Sequence, residues 1–395
     1  MRSLFSLLCL SILALPLAVR AEAPPFGDNV QFRGSLTNAR LRFEQEKKGT
    51  VAFMGGSITE MNGYRPMVCD LLKKRFPQTD FNFIDAGISS TCSTTGAFRL
   101  ASNVLSKGPV DLFFVEFAVN DDQDAMHTRA ECIRGMEGII RHARKSNPNM
   151  DIVMTFFVNE SMLKTLQDGK VPLTIEAHSA VAKHEEISTI NLAKEAAEEI
   201  TAGKLTWKQY GGVHPAPYGN AIGARMIDEL FSRAWAQPLA ADQKMSAHAV
   251  PEPLDPLSYM RGRFIKPNEA KVVKGWTLGV PDWKALPGGK RERIMAIPML
   301  SATEPGAETT LDFDGTTVGA FVVAGPDAGT VEATIDDGKP QVVEVYHNFS
   351  KGLHYPRSVI FGTDLKPGPH HLRLRLPQDS GHPGHAVRII QFEAN

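Results

Sequence analysis

At 395 residues the chain exceeds what one hydrophobic core usually serves, and its 43% apolar content is that of an ordinary globular protein. Its formal net charge of −1 gives no field to gather nucleic acid or anionic lipid, which excludes partners held by charge alone. Two domains are the expectation.

Residues 1–21 place Arg2 before an apolar run and end in Val19-Arg20-Ala21, the pattern of a cleaved signal peptide. The apolar run, 4–19, is broken by Pro16 and is shorter than the roughly 20 residues that span a bilayer. Cys9 lies inside it without the small residues that precede an acylated cysteine. The expectation is a secreted or periplasmic protein with no transmembrane segment. Beyond the signal stand Cys69, Cys92 and Cys132, an odd number for a compartment that permits disulfides. A Cys92–Cys132 bridge with Cys69 free, and three free thiols, both stay open.

From about 49 to 236, short β-rich runs alternate with helical patterns, which predicts an open, mostly parallel sheet with helices on both faces, a three-layer α/β fold. The runs cover 50–54, 81–85, 110–117, 152–158 and 187–190. Several are almost wholly apolar, as strands buried on both sides must be. Helices are expected over 64–75, 94–106, 128–145, 191–201 and 216–235, and Asn147-Pro148-Asn149 stops the third. Residues 237–258 lose periodicity and gather Pro238, Pro251, Pro253 and Pro256, a linker pattern. Beyond it, alternating runs at 309–313, 318–323, 331–335, 341–345, 371–376 and 387–392 are separated by Gly, Pro and Asp turns, the signature of a smaller all-β sandwich. The chain thus divides into a signal peptide (1–21), an α/β domain (22–236), a linker (237–258) and a β-sandwich (259–395).

Four short segments carry chemistry. Gly55-Gly56-Ser57-Ile58-Thr59 follows the first buried run, at the sheet edge where open α/β folds bind ligands, and its glycines leave the Ser57 hydroxyl exposed. Gly87, in Asp85-Ala86-Gly87, stands at the end of the next run, where its N–H can meet an oxyanion without an intervening side chain. Asn120, in Val119-Asn120-Asp121, ends the long apolar run and offers a side-chain amide. His214, in Gly211-Gly212-Val213-His214-Pro215, sits in a loop bounded by glycine and proline, placed to accept a proton from Ser57. Each segment alone is ordinary turn chemistry; the ordered set of four is not.

With these four blocks the sequence resembles the SGNH hydrolases, the GDSL-type esterase superfamily, over roughly residues 45–236. The resemblance implies Ser57 as nucleophile, His214 as base, and Ser57, Gly87 and Asn120 as the oxyanion hole. It also implies kinship with carbohydrate-esterase-like members that carry a β-sandwich. No cofactor or metal is implied, and His127, His178 and His184 show no convincing ligand spacing with Asp or Cys. One departure stands out: most of the superfamily carries an acid three residues before the histidine, and here that residue is Gly211. Asp121 is the nearest candidate orienting acid, with Glu60 and Glu116 beside other blocks; a backbone carbonyl or a bare dyad are the alternatives.

Tyr64 and Arg65 form a helix start with Pro66, or else reach a sugar or carboxylate. In the sandwich, Tyr346-His347-Asn348-Phe349 and His354-Tyr355 either pack internally or stack on a sugar ring. The expected function is hydrolysis of short acyl esters, acetyl foremost, on a polysaccharide or glycan, the partner being an acylated glycan or small ester. A lipid esterase, lysophospholipase or thioesterase, a sugar acyltransferase, and an impaired glycan-binding protein remain open. The polar residues after Gly87 (Ser89, Ser90, Thr91, Ser93, Thr94) favour a short acyl group. Oligomeric state is not legible.

Overall fold

The computed structural model of the chain describes residues 25–395, so the expected signal peptide lies outside the described residues. The first sheet comprises β1 (Val30–Gln31), β2 (Lys48–Gly55), β3 (Asp80–Gly87), β4 (Leu112–Glu116), β5 (Asp151–Phe156) and β6 (Ser188–Asn191). Their order is β1-β6-β5-β4-β2-β3, and every pair is parallel except β1 with β6. β4 and β5 are buried along their whole length, which is why they read as mostly apolar runs. From β2 the chain winds outward to β3, then returns past β2 to β4 and continues to β5 and β6. The direction of winding therefore reverses between β2 and β4, and a crevice opens at their carboxyl ends.

Helices flank this sheet. Tyr64–Arg75 packs on Pro217–Ala234, while Ser93–Asn103, Arg129–Ser146 and Leu173–His184 form a connected group. Arg129–Ser146 shows how local chemistry sets its bounds. Thr128 and Glu131 form a reciprocal capping box, Ile133, Met136, Ile140 and Ala143 are buried, and Asn147 leaves helical geometry before Pro148. The two-residue β1 and the helices Thr37–Glu44 and Glu160–Gln167 escape the sequence pattern. Leu173–His184 escapes it as well, because its buried face includes Thr174 and His178 beside Ile175 and Val181. The strand expected to run to 117 ends at Glu116, and Asn120 and Asp121 lie on a short helix, Ala118–Gln123, in place of a turn.

A separate all-β sandwich follows. One antiparallel sheet joins Tyr355–Gly362, Val318–Ala324, Val387–Ala394, Met299–Ala302 and Thr277–Gly279, with Arg263–Ile265 also on Val387–Ala394. The other joins Gln341–Glu344, Thr330–Ile335, Pro369–Arg375, Glu308–Asp314 and Lys271–Lys274. Val322, Ile389 and Phe392 face Leu311, Val331 and Leu372 in the core between them. The strand Val318–Ala324 is buried throughout, since Phe321 and Val323 pack outward on Trp283, Ile294 and Met299. Residues 280–298 therefore cover the sandwich's outer face.

Residues 235–262 form neither helix nor strand. They are nonetheless seated on the α/β domain. The buried Glu137 accepts from Leu254 N (2.6 Å), Asp255 N (3.0 Å) and the Ser258 hydroxyl, and His248 Nε2 lies 2.7 Å from Asp151 Oδ1. Removing the Glu137 carboxylate strands two backbone donors in a dry site, each costing about 1–3 kcal/mol. Glu137→Ala is therefore expected to lower unfolding free energy by about 3 kcal/mol in urea titration and to open residues 245–258 to limited proteolysis in the native state.

Candidate active site

Ser57 begins the short helix Ser57–Glu60 directly after β2, so its N–H has no intrahelical acceptor and its hydroxyl stands at the crevice. The packing around it explains the residues before it. A Cβ on Gly56 would overlap Asn120 Oδ1, and one on Gly87 would overlap the backbone of Thr59 and Glu60. The glycines let the loop after β2 lie directly against the Asn120 side chain and the loop after β3 against the backbone of Thr59 and Glu60, which brings Ser57, Gly87 and Asn120 to one place.

His214 Nε2 lies 2.7 Å from Ser57 Oγ across 157 residues of sequence. His214 is exposed, on the loop between the helices Trp207–Tyr210 and Pro217–Ala234. Among the described residues no carboxylate lies within 4.0 Å of its ring, and no backbone carbonyl accepts from it. Asp121, the candidate orienting acid, is spent elsewhere. It accepts from Ser93 N (2.7 Å) and Ser93 Oγ (2.6 Å), and its Oδ2 lies 2.9 Å from His178 Nε2. Burial opposes its charge, but His127 and His178 more than offset that and hold its carboxyl far below the usual range. Glu60 binds Ser89 N (2.8 Å) and the Ser89 hydroxyl and pairs with Arg293 at 3.2 Å. Glu116 accepts from Gly56 N (3.1 Å) and Thr59 Oγ1 (2.7 Å). All three acids brace loops; none reaches His214.

The reason no acid stands at 211 is conformational. Gly211 caps Trp207–Tyr210 with φ 108°, outside what side-chain-bearing residues adopt, and a Cβ there would run into Ala216 N.

The two other proposed donors have partners in this state. Gly87 N–H donates to Asp85 Oδ1 at 2.9 Å, and Asp85 Oδ2 in turn lies 3.0 Å from Arg65 Nη2. Asn120 Nδ2 donates to Asp124 Oδ2 at 2.5 Å, leaving one of its two hydrogens. Asp124 Oδ1 accepts from the Tyr355 hydroxyl at 2.8 Å, and Asp124 O lies 2.8 Å from His347 Nε2. His347 and Tyr355 stack with ring centroids 4.6 Å apart. This part of the sandwich's aromatic loop thus packs against the Asn120 support, while Asn348 and Phe349 of the group are exposed. Tyr64 is buried with its hydroxyl on Thr59, so it cannot face a substrate, and Arg65 is held by Thr59 O and Asp85.

Two residues that sequence reasoning missed hold the site. Arg99, fully buried, donates to Ala86 O (2.6 Å) and Gly55 O (2.9 Å), clamping the ends of β2 and β3. Arg293, from the segment over the sandwich, donates to Gly87 O at 2.9 Å. Neither carries a local signal, since each arginine reads as a solvated charge. Of the two cysteine readings left open, the structure has three free thiols: Cys69, Cys92 and Cys132 are all unbridged and buried. Cys92 precedes the helix Ser93–Asn103 and Cys132 lies in Arg129–Ser146, each close to Asp121, which lies among the side chains a bridge would have to join.

Two outcomes follow from this geometry. Gly211→Asp should not supply the missing acid but destabilise the fold by at least about 2 kcal/mol, read as a lower denaturation midpoint. Burial pushes Glu116 up to about 8 from 4.5, so the folded chain keeps a proton that the unfolded chain has released. Its contribution is complete below about pH 4.5 and vanishes as pH rises through about 8. Between about pH 5 and 8, wild-type stability should fall by about 1 kcal/mol per pH unit more steeply than that of Glu116→Gln, measured by denaturation across pH.

Comparison with known proteins agrees with this architecture. Residues 53–222 match the model of the GDSL-like Lipase/Acylhydrolase family. A comparison with curated protein sequences finds no match. Among solved structures, a two-domain esterase active on acetylated mannans, alone and co-crystallised with mannopentaose, superposes with a TM-score of 0.75 at 20% identity, covering 93% of this chain and 97% of that one in both forms. An acetylxylan esterase from Geobacillus stearothermophilus matches at TM-score 0.36 and 18% identity, over 46% of this chain and 94% of its own. The chain therefore has the GDSL/SGNH-type esterase fold, its residues 53–222 matching the GDSL-like lipase/acylhydrolase family, with a separate β-sandwich domain behind it.

Proposed function

We propose that the protein is an exported serine esterase that removes short acyl groups, acetyl foremost, from a polysaccharide. The observation that carries this reading is the 2.7 Å contact between His214 Nε2 and Ser57 Oγ at the crevice end of β2. His214 takes the Ser57 proton as Oγ bonds to the ester carbonyl carbon, and returns it to the departing sugar hydroxyl; water then cleaves the acyl-enzyme by the same path. The oxyanion is met by Ser57 N–H and the second hydrogen of the Asn120 amide. Gly87 N–H joins when Asp85 releases it towards Arg65. Among the described residues no acid orients the imidazole, so the pair works as a dyad, slower than a full triad by the loss of that stabilisation.

The short acyl group is supported by polar surroundings. A cleft of about 650 Å³ lies beside Glu60 and Ser89, lined from the sandwich side by Lys290, Arg291 and Arg293. Such walls suit hydroxyl-rich sugar better than an alkyl chain. The similar two-domain esterase acts on acetylated mannans, which favours the same substrate class here. Export through residues 1–21 fits a polymer outside the cell.

Ser57→Ala and His214→Ala are each expected to lower kcat on p-nitrophenyl acetate by at least about 10³, with unchanged folding by circular dichroism. Wild type should prefer acetate over octanoate esters and release acetate from acetylated mannan or xylan. Turnover that survives Ser57→Ala sinks the serine mechanism, and a preference for octanoate sinks the acetyl assignment in favour of a lipid esterase.

A further inference from the structure

Away from Ser57, the loops after β4 and before Ser93–Asn103 bring together three side chains that sequence spacing keeps apart. Cys92, Asp121 and His127 offer a sulfur, a carboxylate oxygen and a ring nitrogen that all lie within 4.8 Å of one another. Asp121 is fully buried, and Cys92 and His127 are nearly so. His127 Nδ1 lies 3.5 Å from Asp121 Oδ1, yet it is buried and has no hydrogen-bond partner. A buried ring nitrogen without a partner costs free energy, so its orientation towards a thiol and a carboxylate calls for a ligand. His127 Nε2 lies 3.4 Å from Thr94 Oγ1, which steadies the ring, and His178 Nε2 with Ser93 holds the carboxylate from behind. Cys92 and His127 also line a cavity of about 300 Å³ between the α/β domain and the strand Tyr355–Gly362, which gives an ion a way in.

We propose that Cys92, Asp121 and His127 bind one zinc ion, with a solvent molecule from this cavity as the fourth ligand. Thiolate and imidazole select a borderline-soft transition ion over calcium or magnesium. Tetrahedral zinc holds its ligand atoms about 3.5 Å apart, so the present spacing closes by roughly an ångström of side-chain rotation. Binding displaces the Cys92 thiol proton to solvent as the S–Zn bond forms. The site is independent of the esterase reading and sits one residue from Asn120, so the ion would stiffen the loop that carries that amide.

The test uses the untagged full chain, stripped with EDTA. Equilibrium dialysis should return one zinc per chain, and cobalt(II) should give a near-ultraviolet thiolate-to-cobalt band. Cys92→Ser should abolish the band and weaken zinc binding at least tenfold, whereas Cys132→Ser and Ser57→Ala keep both. In unmutated protein, zinc should shield Cys92 from iodoacetamide by peptide mapping, which covers failure of the variant to fold. Absence of stoichiometric zinc, a band lost in Cys132→Ser but kept in Cys92→Ser, or equal alkylation of Cys92 with and without zinc would each overturn the assignment. Retained binding in Ser57→Ala alongside lost ester turnover separates this site from the esterase site.

Discussion

Asp124 is the point at which the two halves of the molecule become one device. Its carboxylate receives the Asn120 amide on one oxygen and the Tyr355 hydroxyl on the other, and its backbone carbonyl meets His347. Burial raises the Asp124 carboxyl, so every donor aimed at it contributes to holding it charged. Asn120 in turn presses its side chain against Gly56, the residue before Ser57. A displacement of the sandwich is therefore felt within two residues of the hydroxyl, and the sandwich forms part of the wall that fixes where Asn120 points.

A second tie runs on the opposite side of the crevice. Arg293 reaches Gly87 O and Glu60, and Arg291 Nη2 donates to Ser90 Oγ at 2.6 Å. With Arg99 clamping the same strand ends from inside, the loop after β3 is gripped from both domains. Arginine suits this work because its planar fork can serve two acceptors at fixed angles. The cost of burying Arg99 is met by carbonyl acceptors and not by an acid, so its value lies in geometry more than in charge.

The sequence carried the parts whose cause is local. Strands buried on both faces announce themselves as apolar runs, and Arg129–Ser146 announces both ends through Thr128, Glu131 and Asn147-Pro148. Ser57 and His214 could be paired because turn chemistry at the ends of successive strands has an order. What was hidden has non-local causes. The two-residue β1 is too short to show alternation, and Leu173–His184 buries His178 because Asp121 waits for it from another element. Asp121 reads as a candidate partner for His214 only until Ser93 and His178 are seen to occupy it. The cluster of Cys92, Asp121 and His127 has no ligand spacing because Cys92 comes to it from a different connection than Asp121 and His127.

Gly211 has a meaning for how such a site can change over time. The left-handed cap and the packing against Ala216 mean that a single substitution there loses stability before any acid can reach His214. Placing an acid three residues before His214 would require the turn over 211–216 to be rebuilt first, by insertion or by a shifted helix start. The backbone at this turn thus acts as a ratchet, because stability is lost before an acid at 211 could come near His214.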